Sequence, residues 1–143
     1  MVLTDNLAEA QKLVRGTLRV LQMHNILGVT EMTLANGRRA DILAIGPKGD
    51  VTIIEIKSSP ADFRSDHKWP EYGDYCDRFY FAVGQAFPQA LIPPSAGLIV
   101  ADAFGGAIIR ESKLTKLSAA RRKAVTLKFA RLTAQRLLMQ KPD

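Results

Sequence analysis

Two short apolar runs, residues 39–45 and 51–57, flank the turn Gly46-Pro47-Lys48-Gly49-Asp50, and no other stretch restricts the fold as much. Both runs are rich in Ile, Leu and Val. The link between them is tight turn chemistry, so they read as paired antiparallel strands. If Ile45 faces Val51, counting outward sets Asp41 opposite Glu55. The two-residue period of a strand then puts Lys57 on the same face, one step further on. Opposed residues hold their Cβ atoms ~4.5–5.5 Å apart, a spacing at which two carboxylates repel. A divalent cation with oxygen ligands removes that repulsion, and Lys57 is placed to help hold an anionic partner. The plain alternative is a hairpin with an ordinary Lys–Glu pair on its wet face.

The residues before this hairpin supply a helix and a third strand. Thr4 and Asp5 are helix-start residues, Leu7, Ala10, Val14, Leu18 and Leu21 follow at helical spacing, and Gly28 marks the stop. Glu9 lies off that stripe and reads as a surface partner for Lys12. Residues 29–34 form a short strand, and Asn36-Gly37 is a hairpin turn. The turn length decides where Glu31 goes. A two-residue loop sets Glu31 beside Ile42, on the face away from Asp41. A three-residue loop, Ala35-Asn36-Gly37 with Gly37 left-handed, sets Glu31 opposite Asp41. The second form is preferred because it lines up Glu31, Asp41 and Glu55 across three strands. A solvated strand acid is the other reading of Glu31.

Beyond Lys57, Ser59 is a helix cap, Pro60 fits the first helical position and Asp62 sits where a capping-box acid belongs. Pro70 and Gly73 break residues 61–76 into one interrupted helix or two short ones. Trp69, Tyr72 and Tyr75 in this segment read first as packing against the sheet. Residues 78–83 are an aromatic and β-branched strand, residues 85–95 a proline-rich loop, residues 96–101 a buried strand and residues 107–110 an edge strand. Ser118 opens a last helix that runs to about residue 139. Leu117, Ala120, Ala124, Leu127, Ala134 and Leu138 make one apolar stripe on it, and Val125, Phe129 and Leu132 make a second. Two apolar sectors imply that this helix packs on the body and on something else, such as a second copy.

The chain has 143 residues and a net charge of +6, and its charge is unevenly spread. From Arg110 onward there are ten Lys and Arg against the two acids Glu111 and Asp143. That is the footprint of a polyanion partner or, more plainly, a solvated basic helix face. One cysteine, Cys76, excludes an internal disulfide framework and a multi-cysteine zinc site. A single domain spanning residues 1–143 is expected, with a core over about residues 5–111 and the basic helix over about 118–139. With no apolar run long enough to span a bilayer, the expected setting is cytoplasmic, away from membrane.

Ala40-Asp41 followed by Glu55-Ile56-Lys57 resembles the motif of the PD-(D/E)XK nuclease superfamily, with Ala40 where the name pattern has Pro. The longer run from Arg38 to Val83 is similar to the MmcB-like DNA repair proteins, a branch of that superfamily; more loosely, so is the rest of the chain. The resemblance implies an α/β fold with a restriction-endonuclease-like αβββαβ core, a mixed sheet flanked by helices. It also implies catalytic roles for Asp41, Glu55 and Lys57. Mg²⁺ or Mn²⁺ would be held by Asp41, Glu55 and the Ile56 carbonyl, with Glu31 as a further acid, and Glu9 matches a helix acid that assists the metal in some members. Lys68 matches a substrate-facing residue on the helix after Glu-x-Lys, with His67 and Tyr72 beside it, and Arg38 and Arg39 are placed to meet phosphates. The implied function is a metal-dependent deoxyribonuclease in DNA repair. The alternative is a nuclease-fold factor that binds DNA, or a repair partner through its last helix, and cuts little.

Overall fold

The structure is a computed structural model that describes residues 2–140, with side chains from Leu7 to Gln140. Helix α1 (Val2–Met23) is followed by strands β1 (Leu27–Thr33), β2 (Arg39–Ile45) and β3 (Val51–Ile56). A short helix α2 (Pro60–Ser65) and a 3₁₀ segment (Trp69–Tyr75) lead to β4 (Arg78–Val83). A second 3₁₀ turn (Gln89–Leu91), β5 (Gly97–Ala101), β6 (Gly106–Arg110) and helix α3 (Ala119–Met139) complete the chain. The six strands form one sheet in sequence order. β3, β4 and β5 run parallel, and the remaining neighbours pair antiparallel. This is the expected mixed α/β sheet flanked by helices.

The two faces of the sheet bury different partners. Ile42, Ala44, Ile54, Ile56, Tyr80, Ala82 and Ile99 pack beneath α1, against Leu13, Val20 and Leu21. Leu43, Val51 and Ile53 face the other way, toward the 3₁₀ segment and Val125 of α3. β3 is buried along its whole length because it is central and covered on both faces. Close approach of α1 to the turn after β5 requires a glycine: a Cβ on Gly16 would overlap the Asp102 carbonyl.

Several boundaries depart from the sequence reading. α1 begins at Val2, upstream of Thr4 and Asp5, whose side chains lie outside those described. Gly28 does not end that helix; the chain turns after Met23, and Gly28 lies inside β1 under Leu18 and Ile42. The first hairpin takes the three-residue form. Thr33 pairs with Arg39, the Leu34 N–H donates to the Arg38 carbonyl at 2.7 Å, and Gly37 is left-handed at φ 84°. Among the described residues, no helix is long and apolar enough to cross a membrane.

Candidate functional site

β2 and β3 pair regularly from Ile45–Val51 to Ile42–Ile54, where the ladder stops. The next opposed pair is Asp41 and Glu55, and here side chains take over from the ladder. The Asp41 N–H donates to Glu55 Oε2 at 2.8 Å, and the Ile56 N–H donates to Asp41 Oδ2 at 2.8 Å. Each carboxylate therefore satisfies the backbone of the opposite strand with one oxygen and keeps the other. β3 continues to pair with β4 through Ile56–Ala82, and the Lys57 N–H donates to the Ala82 carbonyl. β2 thus separates from a β3 that β4 still holds, which opens a cleft of about 640 Å³. Its walls are Leu7, Ala10, Gln11 and Val14 of α1 on one side and Thr30, Glu31 and Arg39 on the other.

Glu31 stands opposite Asp41 by register, yet it is skipped in the ladder and has a left-handed backbone at φ 54°. For a residue with a Cβ, such a conformation costs of order 1–3 kcal/mol and persists only where its surroundings enforce it. Alternation slips at the same level. Ala40 and Ile42 share parity, but Ala40 packs with Met32 on the α3 side while Ile42 lies under α1. Glu31 is exposed on the cleft rim. It does not complete a nest: among the described residues no three His, Cys, Asp or Glu side chains come together as a metal cluster. The close acids are two.

Burial pushes both of them toward the protonated form. Glu55 is raised to about 8, first by burial and then by the Asp41 charge, against the opposing Asp41 N–H bond and the nearby Tyr72 hydroxyl and Lys57 charge. Asp41 is raised by burial, against its bond from Ile56 and the charge of Lys57. Tyr72, expected first as packing, does both jobs. Its ring stacks with Phe79 and its hydroxyl donates to the Arg39 carbonyl at 3.0 Å, on the wall of the cleft beside Glu55.

Lys57 is buried at 6 % exposure and is engaged by acids that the spacing argument left out. Its Nζ lies 2.7 Å from Asp66 Oδ2 and 4.0 Å from Asp62 Oδ1. Asp62 has the expected capping role, its N–H donating to Ser59 Oγ and its carboxylate accepting from the Ser58 N–H. Asp66 was missed. Burial alone would raise its pKa, but the Lys57 bond and the N–H groups of Lys68 and Trp69 hold it below the ordinary value. The signal for it was an acid at the C-terminal end of α2, the unfavourable end of the helix dipole, which implies a cation elsewhere.

The outlying candidates divide. Arg39 lines the cleft. Arg38 turns away and pairs with Glu71 at 3.1 Å. His67 and Lys68 are exposed and outside the residues lining the cleft. Among the described residues Glu9 makes no ion pair with Lys12; its carboxylate lies over Gly84.

Fold and site define a class: an open mixed α/β sheet in which an acid pair and a lysine meet where an antiparallel strand leaves its partner. The chain belongs to the MmcB-like DNA repair protein family, whose model matches residues 4–143. It is also similar to a solved structure described as the SPO1766 protein of unknown function from Silicibacter pomeroyi. The two are 44 % identical, with a TM-score of 0.87 over 90 % of this chain and 88 % of that one. Among curated proteins, none matches.

Proposed function

We propose that this chain is a divalent-metal-dependent deoxyribonuclease that hydrolyses phosphodiester bonds during DNA repair. One observation carries the reading: a buried and a half-buried carboxylate, Glu55 and Asp41, stand opposite each other, each accepting a 2.8 Å backbone bond from the other strand, with Lys57 next along the chain, in an open cleft. The family name supports the repair setting and a DNA partner.

The donor set fits a hard cation. It offers carboxylate oxygens from Asp41 and Glu55 and the Ile56 carbonyl, without His or Cys, which suits Mg²⁺ or Mn²⁺ with several retained waters. When bound, such an ion supplies Lewis acidity and a more acidic water. Glu55 gives up its proton to serve as a ligand, so its raised pKa makes binding stronger toward alkaline pH. Asp41 and Glu55 are pre-oriented by the backbone bonds they already accept. Lys57 has three donors, so it can keep Asp66 and still donate a hydrogen bond that stabilises a phosphoryl oxygen or orients the attacking water. Arg39 meets an adjacent phosphate at the rim, Glu31 orients water there, and the exposed Lys68 and His67 guide the strand outside the cleft, whereas Arg38 stays with Glu71.

The test is cleavage of labelled single-stranded, duplex and branched DNA with Mg²⁺ or Mn²⁺. Metal-dependent products that fall about 100-fold or more in Lys57→Ala are expected. Divalent metal should also raise the melting temperature, and Glu55→Ala should remove most of that rise; an undiminished rise in the variant refutes the assignment. A second reading, binding with little cleavage, draws on the Lys57–Asp66 pair, which occupies the lysine. Asp66→Asn separates the two: higher turnover marks a restrained enzyme, whereas DNA binding without products in both proteins marks a binding factor.

A further inference from the structure

Helix α3 is 21 residues long, but Val125 is its one fully buried residue, with Phe129 and Leu132 packed beside it on the sheet. Ala120, Ala124, Leu127, Arg131, Ala134 and Leu138 are all exposed, Leu127 at 58 % and Leu138 at 86 %. Their spacing runs 4, 3, 4, 3, 4, the a/d repeat of a helix-pairing seam, and at 3.6 residues per turn the seam lies opposite the Val125 face. A groove of about 710 Å³ runs beside Arg131, Ala134 and Leu138. This is the stripe that the sheet leaves uncovered.

We propose that the seam docks one acidic amphipathic helix of a different protein. Three alanines let a helix approach closely, and Leu127 and Leu138 supply the knobs. The charge selects the occupant. Arg131 sits in the middle of the seam, Lys123 and Lys128 flank it, and no acid occurs between Glu111 and Asp143. A second copy of α3 would set cations against cations with no carboxylate to separate them. DNA gains nothing from a row of alanine and leucine. An anionic membrane would have to bury Arg131 at the centre of a narrow apolar stripe. An opposing helix with Glu across from Arg131 and along its flanks satisfies every group.

The probe is a labelled 21-residue synthetic helix, matched to the length of α3, with Leu at its seam positions and Glu opposite Arg131 and at the flanks. Its twin carries Lys in place of each Glu. Fluorescence anisotropy with the full chain should show the acidic peptide binding and the twin about 100-fold weaker or worse. Leu127→Ser and Leu138→Ser should each weaken binding about tenfold. Arg131→Glu should abolish binding of the acidic peptide and restore it for an acidic peptide with Lys at that one position. All three positions are exposed, so the melting temperature and its rise with divalent metal should stay put, which separates this test from that of the proposed metal site. Equal binding of both peptides, or indifference to Leu138→Ser, overturns the proposal. So does a dimer, duplex DNA binding or phosphatidylglycerol vesicle binding that depends on the same residues in place of the peptide.

Discussion

β3 carries buried acid at both ends, and the two ends are built in opposite ways. At its start Asp77 reaches in from the β4 side. Its Oδ2 accepts from the Val51 N–H at 2.7 Å, its Oδ1 from the Leu117 N–H at 2.9 Å, and both oxygens take the Arg122 guanidinium at 2.6 and 2.7 Å. Although burial opposes it, Arg122 with the two N–H groups lowers Asp77 to about 2. At the far end Glu55 is raised to about 8, first by burial and then by the Asp41 charge, while Lys57 pairs with Asp66. One carboxylate ties β3, the 111–118 strap and α3 together. The other two are held close with no cation of their own between them. That contrast is why the proposed cation is assigned to the Asp41 and Glu55 pair and not to Asp77.

The largest break in this contrast is Asp77→Ala. It strips Arg122 and two buried N–H groups of their acceptor and should cost about 3–5 kcal/mol, read from chemical denaturation. The same residue sets an acid limb. With its folded pKa at about 2 against an ordinary 3.8, its contribution is complete above the higher value and is lost as pH falls through the lower. That amounts to about 2 kcal/mol between pH 4 and 2, absent in Asp77→Ala.

Glu55 has the reverse sign. Folded at about 8 and ordinarily 4.5, it holds a proton in the folded chain that the unfolded chain has released. Its stabilisation is present below 4.5 and disappears as pH rises to 8. Glu55→Gln in metal-free protein at pH 8 should therefore raise the melting temperature by a few degrees, about 1 kcal/mol. The same variant should lose the stabilisation by Mg²⁺. A drop at pH 8 comparable to that of Asp77→Ala would mean that the two ends are alike after all. Smallest is Tyr72→Phe, which keeps the stacked ring and loses the hydroxyl bond. It should cost about 1 kcal/mol or less while shifting the pH at which metal stabilisation appears.

Much of the site was legible because its geometry is local. Ile45 facing Val51 needs only a five-residue turn, and strand period carries that register out to Asp41 and Glu55. Asn36-Gly37 allowed two loop lengths, and the three-residue one, preferred because it aligned the acids, is the one formed. Lys57 was read as sharing the acids' face and does so, but its partner was not seen. Asp66 lies nine residues on, beyond a helix whose direction no periodicity specifies. Arg38 and Arg39 are adjacent and alike in type, yet one meets Glu71 and the other the cleft, a choice set by where the 3₁₀ segment docks. The left-handed Glu31 had no sequence signal, since a glutamate carries none of the freedom that flags such a turn.

The amino-acid order by itself determined the strands, the β2–β3 register and the meeting of Asp41 with Glu55, since turns and alternation act over a few bonds. The tertiary structure alone decided which charges are neutralised. Arg122 reaches Asp77 across 45 residues, Asp66 draws Lys57 aside, and α1 closes one wall of the cleft. Desolvation and pairing depend on what packs over a group in space, and sequence distance does not carry that information.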